Sequence, residues 1–251
     1  MSLAFGAQCD DFHIATRLFL KLDLGLERET VLHFFDSVRR EFPGMRKLRR
    51  RDDSSLLLEE DEDDRGQRRW LRLDDQTVRF GHHNPPHVDD AGAFAQTVLK
   101  MAPYHLTLGD LDYDHIEVVL GFDLEYRGNH DQLIADTFFS TGPLAGLMGH
   151  AGVNQTIDSQ PFLGVSLSES CDTQVYIEIK SRTSTYEVRT GQYDTQPLSV
   201  FLTIRRFFGF SEQEHLLDIH RQLSDIAFEW AADRIVPVII QPLAQAIASR
   251  P

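Results

Sequence analysis

Two cysteines in 251 residues, Cys9 and Cys171, leave no material for a disulfide framework. A reducing cytoplasm is therefore the expected compartment. No apolar run approaches the ~18 residues that a membrane-spanning helix needs. Residues 1–11 lack a basic stretch followed by an apolar one, so they do not read as a secretory leader. Signatures of chemistry are scarce as well. No glycine-rich loop ends in Lys-Ser/Thr, and no nucleophile elbow surrounds Ser166, Ser168 or Ser170, although Gly142 and Gly146 loosen a loop. Positive charge is in short supply: 25 Lys and Arg stand against 39 Asp and Glu, a net charge of −14. A field of that sign repels phosphate backbones and argues against a general nucleic-acid binder.

What is present is ample apolar material, 41% of the chain, for a folded core. The charge is unevenly divided. Residues 1–109 carry 16 Lys/Arg and 19 Asp/Glu, a net of −3, and residues 110–251 carry 9 and 20, a net of −11. An anionic partner would favour the first half.

The two halves resemble each other. Residues 13–22 align with 115–124 at an offset of 102, so that Ile14, Leu18, Leu20 and Leu22 meet Ile116, Leu120, Phe122 and Leu124. Strict alternation marks half-buried strands, and a slip of one residue would turn the whole set to the wrong face. A second anchor, Val78-Arg79-Phe80-Gly81 against Val188-Arg189-Thr190-Gly191, lies at an offset of 110. Between the anchors each half offers a helix (29–42 and 130–148, the latter interrupted at Gly142-Pro143) and strands at 54–60, 68–74 and 76–81, matched by 162–169, 174–181 and 185–191. Helices are expected after Pro86 and Pro197, the second over a stretch, Val200 to Ile204, that also reads as a buried strand. Ser211-Glu212-Gln213-Glu214 is a capping box before a helix carrying Leu216, Leu223 and Trp230. Pro237 should end or kink that helix, and 236–247 reads as a second apolar helix.

The expected fold is α+β: an internal duplication of a β-α-β-β-β-α unit, with repeats at 1–109 and 110–209 and a helical extension at 210–251. The two sheets should join edge to edge into one curved antiparallel sheet with helices on one face. In element order this resembles the duplicated TATA-binding protein. The resemblance is of architecture alone, without sequence motifs, and the acidic charge speaks against that family's function.

His82, His83 and His87, with Asp89 and Asp90, form the richest local cluster and offer ligands for a divalent metal; the bland reading is a polar strand-to-helix loop, because neighbouring strand residues point apart. Arg79 and Arg189, in matching places, suggest an anion site near His82, Tyr193 and Asp194; the bland reading is a pair of outward strand residues. A basic run at 39–51 faces six consecutive carboxylates at 59–64, and self-neutralisation across a hairpin is the favoured account. The functional expectation is a binding or interaction module without evident catalytic machinery, self-associating or bound to another protein, with no membrane and no nucleic-acid partner. The apolar tail at 236–247 has two readings: it packs on the repeats as one compact unit and covers the sheet, or it binds a partner subunit, which motivates the oligomer. The alternative is a small-molecule or metal-dependent enzyme using the His82–His87 loop and the sheet face. No cofactor is specified.

Overall fold

A computed structural model describes residues 5–25, 27–147, 155–209 and 215–250. Among the described residues nine antiparallel strands form one sheet in the order β2-β3-β4-β5-β1-β6-β9-β8-β7. The strands are β1 (Asp11–Leu20), β2 (Lys47–Arg50), β3 (Leu56–Glu59), β4 (Arg68–Asp74), β5 (Thr77–His83), β6 (Tyr113–Arg127), β7 (Phe162–Ser166), β8 (Thr173–Lys180) and β9 (Thr195–Phe207). The helices are α1 (Arg28–Glu41), α2 (Val88–His105), α3 (His130–Phe138), α4 (Thr185–Thr190), α5 (Leu216–Trp230) and α6 (Gln241–Ala248). The first half of the chain meets the second where β1 pairs with β6, with Ile14 opposite Leu120 and Leu18 opposite Ile116.

Period-2 alternation decides which face is buried. Ile14 and Leu18 on β1, Val78 and Phe80 on β5, and Ile116, Leu120 and Phe122 on β6 all turn to one side. Leu198, Val200, Leu202 and Ile204 on β9 join them, and every one of these side chains is buried. Helices α2 and α5 pack on this inner face, α2 against β1 and β5, α5 against β6 and β9. Helix α1 lies on α2 through Val31, Phe34, Phe35 and Val38, and α3 lies on α6. A single hydrophobic cluster runs through both halves and the C-terminal helices. At ~25 cal/mol per Å² of apolar surface removed from water, this burial is the main stabilising term.

Several expected elements differ. Residues 185–191 form helix α4 rather than a strand. Ser184 Oγ accepts from the Glu187 backbone N–H while the Glu187 carboxylate accepts from the Ser184 N–H, a complete capping box, and Gly191 closes the helix at φ 69°. The expected helix after Pro197 is instead β9, a strand that pairs with β6 along its whole length, Thr195 to Phe207. Arg79 and Arg189 therefore do not occupy matching places. Leu22 lies beyond the end of β1 and is exposed. Strand β2 lies inside the basic run. Helix α3 stops at Phe138, and a short 3-10 turn at Pro143–Leu147 follows it. Pro237 does not end its helix: residues Ala231–Ile240 form a π-helical segment that links α5 to α6, a wider turn of the kind that accommodates a missing N–H. The tail covers the core, with Ile235, Val236, Ile240 and Leu243 buried. The expected capping box at 211–214 and residue Met148 lie outside the described residues.

Candidate functional site: an arginine row on the outer face of the sheet

The face of the sheet opposite α2 and α5 is polar and aromatic. Register alone builds its central row. Arg72 lies opposite Arg79, Arg79 opposite Arg17, Arg17 opposite Glu117, and Glu117 opposite Arg205. Like charges directly opposite each other cost stability, and three arginines on adjacent strands need compensation. Carboxylates supply it. Asp53 accepts from Arg72 Nη2 at 2.5 Å, and Asp74 lies 3.5 Å from Arg79 Nε. Glu117 accepts from Arg205 Nε at 2.8 Å and Nη2 at 2.6 Å, and from Arg17 Nη1 at 3.5 Å. The Glu117 side chain is only 2% exposed, whereas Arg17 and Arg79 remain 39% and 34% exposed. The carboxylate is the buried pivot, and the guanidiniums reach solvent.

Aromatic rings flank the row. On one side Phe19 stacks on His115 at 4.1 Å between centroids, and Phe207 follows at 5.1 Å. Arg79 lies over Phe19 at 5.7 Å, and Arg205 lies 4.9 Å over Tyr176, which stands across the row from Phe19. On the other side Trp70, His83, His13 and Phe201 form a chain of ring contacts. Gly121 leaves room for the His13 ring, and a Cβ at Gly81 would lie 2.6 Å from the Ile14 carbonyl and 3.0 Å from Trp70. Burial pushes His13 and His83 down to about 4, aided by Arg17 for His13 and by His13 and Arg68 for His83. Both are neutral at pH 7, so neither adds to the positive charge of this face.

No family model matches this chain, and no curated protein matches it either.

The structure disperses the other expected site residues. His82 points to the inner face, 3% exposed, with no hydrogen-bond partner at Nδ1; burial, then Arg69, pushes it down to about 4. It lines an open cleft of about 400 Å³ with Arg46, Glu60, Gln67 and Arg69. His83 takes the opposite face, and His87 is the exposed N-cap residue of α2, making no side-chain capping bond. Among the described residues no group of three or more His, Cys, Asp or Glu is placed to hold a metal. Arg189 sits on α4 over the Tyr186 ring. Tyr193 and Asp194 lie between α4 and β9, where the Tyr193 carbonyl accepts from Arg127 Nε at 3.1 Å. The basic run meets its carboxylates across the β2–β3 hairpin: Lys47 pairs with Asp61, and Arg49 with Glu59. Cys9 is pushed up to about 12 by burial and then by Asp123, which leaves no reactive thiolate there.

His220 is a further buried polar residue that no motif in the sequence marks. It is buried between α5 and β1, with Nε2 2.9 Å from Thr16 Oγ1 and Nδ1 3.3 Å from Gln96 Nε2. Thr16 interrupts the apolar alternation of β1, and that polar gap on an inward position is the available signal.

Proposed function

We propose that this chain is a binding module whose outer sheet face holds an acidic segment of a partner protein. The observation that carries the reading is the row Arg72, Arg79, Arg17 and Arg205 on a molecule of net charge −14. Guanidinium groups present planar, paired donors that fit carboxylates. The flanking aromatics suit a segment that mixes acidic with apolar side chains. A long polyanion would bring more charge against the molecule's overall field, which favours a short acidic peptide over nucleic acid.

The test is fluorescence anisotropy with a labelled peptide alternating Glu and Phe, and with a labelled oligothymidylate for comparison. The peptide should bind, weaken with salt, and lose affinity by about tenfold or more when Arg17 and Arg79 are changed to Glu. Equal binding by the variant, or tighter binding of the oligonucleotide, would overturn the reading.

The same proposal takes the two halves, 1–109 and 110–209, as products of a duplication, with 210–251 added to them. Its support is that Ile14, Leu18 and Leu20 and their counterparts Ile116, Leu120 and Phe122 are all buried, on strands that lie side by side. The order β3-β4-β5-β1 also runs as the mirror of β6-β9-β8-β7. The second anchor of the repeat lends no support, since Val188 to Gly191 belong to α4 and its cap. The element order departs from the expected β-α-β-β-β-α unit by strand β2 in the first half and helix α4 in the second, so the likeness to the TATA-binding protein adds no support. Two unpaired cysteines support a cytoplasmic setting, and no helix among the described residues is long and apolar enough to cross a membrane. Self-association belongs to the proposal as well. Its support is not the buried tail but the exposed edge of the sheet.

A further inference from the structure

The two ends of the sheet are finished differently. Strand β2 carries Lys47, Arg49 and Arg50, and charges of this kind guard an edge against pairing with another chain. Strand β7, Phe162-Leu163-Gly164-Val165-Ser166, carries no charge at all. Phe162, Leu163 and Val165 are 62%, 59% and 51% exposed. Such an edge is a template for a further strand.

Its hydrogen-bonding parity is fixed by two bonds. Ile179 N–H donates to the Pro161 carbonyl, and Leu167 N–H donates to the Thr173 carbonyl. In an antiparallel ladder the bonded positions alternate. Residues 161, 163, 165 and 167 therefore turn their backbone groups toward β8, and Phe162, Gly164 and Ser166 turn theirs outward.

We propose that β7 pairs antiparallel with β7 of a second copy, about a two-fold axis at Gly164. This deepens the self-association part of the proposed function. Centred there, all three outward residues find partners: Phe162 with Ser166 of the second copy, Gly164 with Gly164, and Ser166 with Phe162. On the inner face Leu163 meets Val165 and Val165 meets Leu163, so apolar side chains cover one another. No charge is set against its own copy, which any self-pairing of β2 would require. A second copy suits this edge better than an unrelated strand because the segment is self-complementary in both hydrogen bonds and side chains. The two nine-stranded sheets would then run on as one, with their arginine rows on the same face.

The decisive measurement needs no substitution. In the full chain the amides of Phe162, Gly164 and Ser166 should exchange slowly with solvent at concentrations where light scattering gives twice the chain mass. They should exchange rapidly on dilution to the monomer. Leu163→Lys with Val165→Lys, and separately Ser166→Pro, which removes an outward N–H, should each return the chain to monomer mass. Leu48→Lys on the opposite edge should leave the dimer intact. A dimer in which these three amides exchange freely, or which survives both edge variants, overturns the edge pairing while self-association stands. A chain that stays monomeric at high concentration overturns both.

Discussion

Glu117 shows how much one side chain decides in this protein. It is a carboxylate in the middle of a β-strand, opposite Arg17 on one neighbour and Arg205 on the other, and it is almost completely buried. Removing one partner of a buried, hydrogen-bonded pair leaves the other uncompensated. Glu117→Gln keeps the shape and removes the charge. Because both arginines reach solvent, the expected loss is moderate, ~1–3 kcal/mol in urea unfolding. The same substitution releases Arg17 and Arg205, so it should tighten binding of the acidic peptide. A variant that is as stable as the wild type and binds no better would show that Glu117 does not organise the row.

Among the elements, α4 and β9 show where local signals suffice and where they do not. Ser184, Glu187 and Gly191 stand at the spacings of a capping box and a helix C-cap, so α4 is legible in the sequence; the repeated Val-Arg-x-Gly string points instead to a strand and misleads. Strand β9 is not legible. Leu198, Val200, Leu202 and Ile204 alternate, but Leu198, Phe201, Leu202 and Phe208 also fit a helix. Pairing with β6, remote in the chain, settles the choice. In contrast, β4 occupies the expected residues Arg68–Asp74. The C-terminal helices yield a prediction at this scale. Cutting the chain after Arg234 removes Ile235, Ile240 and Leu243 from the core. Each such loss costs ~2–5 kcal/mol, so the shortened chain should lose cooperative unfolding in circular dichroism. A sharp melting transition near that of the full chain would contradict this packing.

For the molecule as a whole, buried imidazoles link folding to pH. His13, His82, His83 and His220 are each pushed down to about 4, chiefly by burial. In the unfolded chain they take up protons below about pH 6.5. The folded state takes them up only near 4, so between these values the unfolded state binds more protons. Their contribution to stability is then full above about pH 6.5 and is lost as pH falls toward 4. A tenfold difference in proton affinity between the two states is worth ~1.4 kcal/mol, so a loss of at least a few kcal/mol is expected between about pH 7 and pH 4.5. The urea midpoint should fall across that range, and less steeply in His220→Gln. A midpoint that does not move over the same range would contradict the burial of these rings.

The sequence by itself determined the α+β class, the faces of β1 and β6, most strand positions, the pairing of the basic run with the acidic one, and the separation of His82 from His83. These follow from periodicity and from nearest-neighbour chemistry, which act over a few residues. Only the tertiary structure decided that β9 is a strand, that the apolar tail closes the core, and that Arg72, Arg79, Arg17 and Arg205 stand in one row around Glu117. Each arginine is visible in the sequence. Their alignment is a property of register across β4, β5, β1, β6 and β9, fixed by burial of the opposite face, and no local pattern records it.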